Sequence, residues 1–423
     1  MVSLLLIIFY TTIFIFWLLK ISRSYRNYLS AQQVALSFVT KIAFGLAYGF
    51  LFWKFYKGDD TWQYHNFSLT EYQNLLHHPG DFILDIRSKA NGSTSLHSIY
   101  DTTNSFWNKF DDVLLIKLLT IFDLFSFGHY YVNVVLFGFV VYLGHFLIFR
   151  LLVHYYPQSA PLLIAAIFYN PMITFWLSGI RKEGVLFLAL ALVLFYFDRL
   201  LRKQGNLIIN ALFIFTGLGV LLVMRNFVVM CLAPSLLGLF FCRRFQWNAP
   251  LTFTAVYSGC IVAFFMSSTI PGLPNLPAKV AQRQYEFLSL TANTRLSIDS
   301  LKGTPASFLQ VLPQAINHSF LRPYITESKG ILQVISAGDI LLFFLMALIT
   351  ALFHKDDWKK ILQNPIVLTC FFTSLFAYLL IGYTVPFPGT FIRYKAIFEL
   401  LFVCIFAIIT DLNKIERMFI NKK

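Results

Sequence analysis

Apolar residues in this chain come in long, nearly unbroken runs, separated by short polar stretches. Most runs approach the roughly 20 residues that an α-helix needs to cross a bilayer. They lie near 2–19, 35–56, 130–153, 161–179, 184–198, 207–224, 226–242, 250–268, 337–354, 365–384 and 396–410. The pattern predicts an all-α, polytopic transmembrane helical bundle of about 11 spans, a single integral membrane domain over 1–423. A further apolar stretch, Val113 to Phe127, is interrupted by Lys117 and Asp123 and predicts an interfacial helix. Two long polar segments, 57–129 and 269–336, are expected to be larger extracytoplasmic loops carrying short interfacial helices. The first contains a Gly-, Ser-, Thr- and Asn-rich stretch, and the second the amphipathic "AKVAQRQYEFLSLTA".

Composition narrows the class. Hydrophobic residues make up 57% and charged residues only 13%, against about 25% in soluble domains, and mean hydropathy is +0.66. The first run, Met1 to Leu19, has no basic residues ahead of it and no small-residue cleavage site. Its charges, Lys20, Arg23 and Arg26, follow, as for a first membrane helix rather than a signal peptide. The five cysteines are scattered through apolar runs without disulfide or metal spacing.

The net charge of +14 is largely an orientation signal. Lys20, Arg23 and Arg26, then Arg150, then Arg199, Arg202 and Lys203, then Arg243 and Arg244, then Lys355, Lys359 and Lys360, and the tail from Lys414 to Lys423 fall in alternate loops. The positive-inside rule makes these cytoplasmic, with the N-terminus outside and the C-terminus inside a cell (cytoplasmic) membrane. Charge so dispersed excludes a nucleic-acid partner.

The opposite loops should then be poor in cations, yet three short ones carry Arg181 and Lys182, Arg225, and Arg393 and Lys395. Carboxylates join them: Asp59 and Asp60 in "FYKGDDTWQYHNF", and Glu183 in "SGIRKEG". Ionisable residues at such helix ends are candidate functional groups. Together they suit chemistry on a phosphate-bearing lipid headgroup. Arg181, Lys182, Arg225, Arg393 and Lys395 would neutralise the phosphate, Arg as a bidentate fork. A carboxylate would act as general base for an acceptor hydroxyl or hold a divalent cation, Mg or Mn, through Asp59 and Asp60.

"GDDTWQY" resembles the Gly-x-Asp-x-x-x-Tyr cluster, here Gly58, Asp60 and Tyr64, of the GT-C superfamily of membrane glycosyltransferases. "NPMITFWLSGIRKEG" is similar to a Pro-x-x-x-x-Trp-x-Ser-Gly-x-x-Lys-Asp/Glu stretch of related multi-pass proteins, and "GTFIRYK" to their Arg-Tyr element before the closing span. The resemblance implies a polyprenyl-phosphate-linked sugar donor and Asp59 or Asp60 as catalytic carboxylate. It further implies Glu183 as a second acidic group and Lys182 and Arg393 as donor-phosphate contacts. One departure is that the acidic loop follows the second apolar run, whereas the superfamily usually places it after the first. Trp62, Tyr64 and His65 beside the acidic pair, and Arg322 before Pro323 among aromatics, are candidates for an acceptor or sugar platform.

Each element also has a structural alternative. Asp59 and Asp60 could cap a helix, Arg181 to Glu183 and the Arg393/Lys395 pair could snorkel to an interface, and Arg225 could mark a hairpin turn. His65, His77 and His78 could simply be solvated loop histidines. Two rival functions compete with sugar transfer in cell-envelope glycan assembly. A lipid-linked oligosaccharide polymerase or ligase would use the arginines without needing the Asp pair. A transporter or flippase would carry its charges within the spans.

Overall fold

The computed structural model of the chain describes residues 2–56, 58–100, 105–290, 295–328 and 330–420. Lys57, where the first expected loop begins, and Lys423, where the basic tail ends, lie outside the described residues. Among those described, every regular element is helical. Among the described residues, eight helices are long and apolar enough to cross a membrane: Val2–Tyr25, Ala31–Lys54, Tyr130–Tyr155, Lys182–Leu201, Leu207–Phe245, Ala249–Met266, Ile331–Leu352 and Pro365–Thr384. Leu4, Leu5, Phe16 and Trp17 on the first of these are all more than half exposed, an apolar surface that lipid rather than water would cover.

Helix starts follow a repeated local code. Asn170, Asn248, Asn275, Thr304 and Asn364 each accept a backbone N–H of the first turn, and each is followed by proline at the first or second helical position. The side-chain oxygen satisfies a donor that the helix leaves open, and proline has no N–H to leave unpaired. Ser30 and Gln33 form a reciprocal capping box ahead of Ala31–Lys54.

Four apolar runs take a more detailed form than their hydropathy suggests. The stretch 161–179 is two short helices, Ala160–Phe168 and Pro171–Trp176, because Asn170-Pro171 stops one and caps the next. The run expected at 396–410 begins earlier, at Pro388, so the helix Pro388–Ile409 takes Arg393 and Lys395 into its own length. The runs 207–224 and 226–242 form Leu207–Phe245, in which Arg225 alone leaves helical geometry (φ −155°, ψ 79°), where a turn was expected. An unbroken helix of its 39 residues would be about 58 Å long, roughly twice a hydrocarbon core.

The chain divides into two compact units, Met1–Asn226 and Phe227–Lys423. In the first, Tyr130–Tyr155 is central and packs against Val2–Ile21, Ala31–Lys54, Phe106–Ser126 and Lys182–Leu201. The first expected loop contains the paired helices Asp60–His77 and Phe106–Ser126. Lys117 and Asp123, which interrupt the latter's apolar pattern, are buried and satisfied. Lys117 meets Glu71 at 2.5 Å and Asp85 at 2.7 Å, and Asp123 accepts from Ser68 at 2.7 Å and Asn133 at 2.6 Å. In the second unit Pro365–Thr384 is central, packing against Ala249–Met266, Pro388–Ile409 and the loop helices Leu276–Ser289 and Pro305–Ile316.

Candidate functional site

The candidate site of the first unit is built on the segment 177–181, where the chain passes from the short helix Pro171–Trp176 into Lys182–Leu201. One face of Ala31–Lys54 grips this segment. Lys41, itself buried, donates from Nζ to the Leu177 carbonyl at 2.8 Å, serving the end of the preceding helix. Further along, Gly179 lies against the Tyr48 ring so closely that a Cβ there would stand 2.6 Å from it. Only glycine allows that approach. The reward is the placement of the next charged residue: Arg181 donates from Nη1 to the Tyr48 hydroxyl at 2.6 Å.

The same guanidinium gathers the acidic pair. Arg181 Nη1 donates to Asp59 Oδ2 at 2.7 Å, and Nη2 donates to Asp60 Oδ2. Gly58, at φ +95°, turns the chain out of Ala31–Lys54 and donates back to the Phe52 carbonyl at 3.1 Å, which delivers the two aspartates to the start of Asp60–His77. Asp59 occupies the N-cap position, yet its side chain makes no capping hydrogen bond. The carboxylate serves Arg181 instead, which distinguishes a charged site from a routine cap. Glu183 is buried in the first turn of Lys182–Leu201, where the helix N-terminus favours negative charge, with Arg181 Nε at 4.0 Å and Arg225 Nη2 at 3.7 Å.

A second pair of carboxylates completes the cluster. Lys182 Nζ lies 2.6 Å from Asp111 Oδ2 and 2.7 Å from Asp112 Oδ1, both on Phe106–Ser126. Tyr64 donates its hydroxyl to Asp112 Oδ1 at 2.7 Å. Burial, then the Asp112 carboxylate, pushes the Tyr64 phenol far above its ordinary range, so it remains a protonated donor. Burial also raises the Asp111 carboxyl, with Lys182 opposing.

Trp62 and His65 form an aromatic wall rather than an open platform. Trp62 stacks on Tyr130 at 3.9 Å and donates from Nε1 to the Gly49 carbonyl at 3.0 Å. His65 is buried edge-on to both rings, and its Nδ1 has no hydrogen-bond partner. Burial lowers the His65 imidazole below its ordinary 6.5, outweighing the nearby Asp123. The folded state therefore binds this proton less well than the unfolded chain. The stability contributed by neutral His65 is present above 6.5 and lost as pH falls below it. We expect the melting temperature in detergent to fall between about pH 7.5 and about pH 5.5, and to fall less in His65→Phe. An unchanged slope in that variant would remove His65 from the account.

Of the residues singled out from the sequence, Asp59, Asp60, Arg181, Glu183 and Arg225 form one network, and Tyr64 and Lys182, which share Asp112, form a second one beside it. Arg322, Arg393 and Lys395 belong to the second unit. There Arg322 pairs with Glu327 at 3.4 Å and lies over Tyr324, while Lys395 is buried 3.8 Å from Glu399. Tyr48, Lys41, Asp111 and Asp112 are additions. The "FDDVLL" pair repeats the adjacent aspartates of "GDD", and Lys41 stands alone inside an apolar run; these were the available signals.

Among the described residues no group of three or more His, Cys, Asp or Glu side chains is arranged to hold a metal ion. The carboxylates are engaged by Arg181, Lys182 and Arg225, so the residues present do not fit a resident Mg or Mn. Comparison of the chain with protein-family models, curated proteins and solved structures finds no match.

Proposed function

We propose that the chain is a membrane glycosyltransferase that moves a sugar from a polyprenyl-phosphate-linked donor to an acceptor at the outer face of the cytoplasmic membrane. The observation that carries this reading is the convergence of Asp59, Asp60 and Glu183 on Arg181. A buried guanidinium fixes two carboxylates at helix ends, and the Asp60 side chain remains half exposed. A positioned, accessible carboxylate is what deprotonation of an acceptor hydroxyl requires. Lys182 and Arg225, each partly exposed beside these carboxylates, are the cations this reading assigns to the donor phosphate. The support is strongest for the carboxylate half of the chemistry, because three cations here face five carboxylates, Asp59, Asp60, Asp111, Asp112 and Glu183.

The same proposal takes the finer topology of about 11 spans, counting the two limbs of Leu207–Phe245 separately and including 160–179 and Pro388–Ile409. It places the N-terminus outside, the C-terminus inside, and the segments 57–129 and 269–336 at the outer surface. A transporter is favoured by one observation: Asp339, Lys395 and Glu399 are buried within the helices of the second unit.

The test is complementation of a strain lacking the chain, with the surface glycan and its lipid-linked precursor measured together. Sugar transfer predicts that a double Asp59→Asn, Asp60→Asn variant, present in the membrane at normal level, loses the glycan and accumulates the precursor. Normal glycan from that variant, with loss on Asp339→Asn or Glu399→Gln instead, would sink the transferase reading in favour of transport.

A further inference from the structure

We infer that Asp339 and Glu399 together hold one exchangeable proton inside the second unit, making this pair a proton-binding site. Asp339 lies within Ile331–Leu352, Glu399 and Lys395 one turn apart on Pro388–Ile409, and Tyr378 on Pro365–Thr384. All four are buried, at 5%, 2%, 3% and 2% exposure. Their surroundings are aromatic: Tyr378 packs on Phe320 at 4.9 Å and on Phe402 at 5.3 Å, and Phe402 packs on Phe343.

Charge counting gives the stoichiometry. Two carboxylates and one ammonium leave an uncompensated negative charge in an apolar shell, which is costly unless a cation neutralises it. Glu399 Oε2 is supplied, with Tyr378 Oη at 3.4 Å and Lys395 Nζ at 3.8 Å. Glu399 Oε1 is buried with no hydrogen-bond partner. The Asp339 carboxyl faces that of Glu399 where Ile331–Leu352 packs on Pro388–Ile409. Two ionised carboxylates can only accept, so that contact becomes a bond when one proton sits between them. The ionisable groups that face Asp339 are Glu399, Lys395 and Tyr378, and Glu327, on the adjoining turn Ile325–Glu327, is paired with Arg322.

A lone i,i+4 Lys395–Glu399 pair with Asp339 as a bystander is the structural alternative, and it holds no proton. Infrared spectroscopy of the purified full chain at neutral pH separates the two. The expected result is a protonated-carboxyl C=O band that shifts in D2O and disappears in both Asp339→Asn and Glu399→Gln, because either substitution restores charge balance with Lys395. Lys395→Met supplies a signed control: removing the ammonium calls for a second proton, so the band should grow about twofold. A wild-type spectrum without any band lost in the two amide variants would overturn the site, as would an unchanged band in Lys395→Met.

Discussion

Arg181→Ala is expected to destabilise the first unit by about 3–5 kcal/mol, the cost of removing one partner from a buried ion pair. Arg181 is only 2% exposed, and its guanidinium serves Tyr48, Asp59, Asp60 and Glu183 together. Its loss leaves Glu183 and the Tyr48 hydroxyl in a desolvated place, and two aspartates repelling each other at one helix start. Arg181→Lys keeps the charge but not the planar fork, so one ammonium cannot replace nitrogens directed separately at Asp59 and Asp60. An intermediate loss is expected. Adding Asp59→Asn and Asp60→Asn to Arg181→Ala should recover part of the stability, since the repulsion goes with the charges. Denaturant or thermal unfolding in detergent reads all three variants. A melting profile of Arg181→Ala within about 0.5 kcal/mol of wild type would mean that the guanidinium is not the keystone of this cluster.

How far the sequence carried the fold depended on what each residue reports. Apolar length marked the eight helices long and apolar enough to cross a membrane, because a helix that must cover itself in lipid needs it at every turn. Helix breaks were legible where the breaker is local: Asn170-Pro171 carries both a cap and a ring without an N–H, and Arg225 is a cation between two apolar limbs. The pairing of charges was not legible. Nothing in the local sequence says that Arg181 reaches back over 122 positions to Asp59, or that Lys182 meets Asp111 and Asp112. Those contacts depend on how Ala31–Lys54 and Phe106–Ser126 are packed, which is a tertiary property. Asp339 and Glu399 are illegible for a related reason: one carboxylate in an apolar run scarcely changes its hydropathy, though its burial is energetically expensive.

Within the acidic pair the structure separates two environments. Asp59 is a quarter exposed and shares Nη1 of Arg181 with Tyr48, whereas Asp60 is half exposed and is met by Nη2. The first is enclosed and the second reaches solvent, so under the transferase reading Asp60 is the carboxylate with access to an acceptor hydroxyl. Under the transferase reading, Asp60→Asn should lower kcat by about 10²–10⁴-fold, the usual worth of a general base. Asp59→Asn should cost less than about tenfold, because the amide oxygen still accepts from Arg181 and only positioning suffers. The fall for Asp60→Asn should lie in kcat with KM little changed, since the amide is nearly isosteric and only proton acceptance is lost. Initial rates with a defined polyprenyl-phosphate-linked sugar, on protein reconstituted at equal density, decide the matter. If Asp59→Asn is the deeper lesion, the base lies on the enclosed side of the Arg181 fork and the acceptor must enter between Tyr48 and Asp59; if neither substitution slows transfer, the pair is an anchor for Arg181 and not a catalytic group.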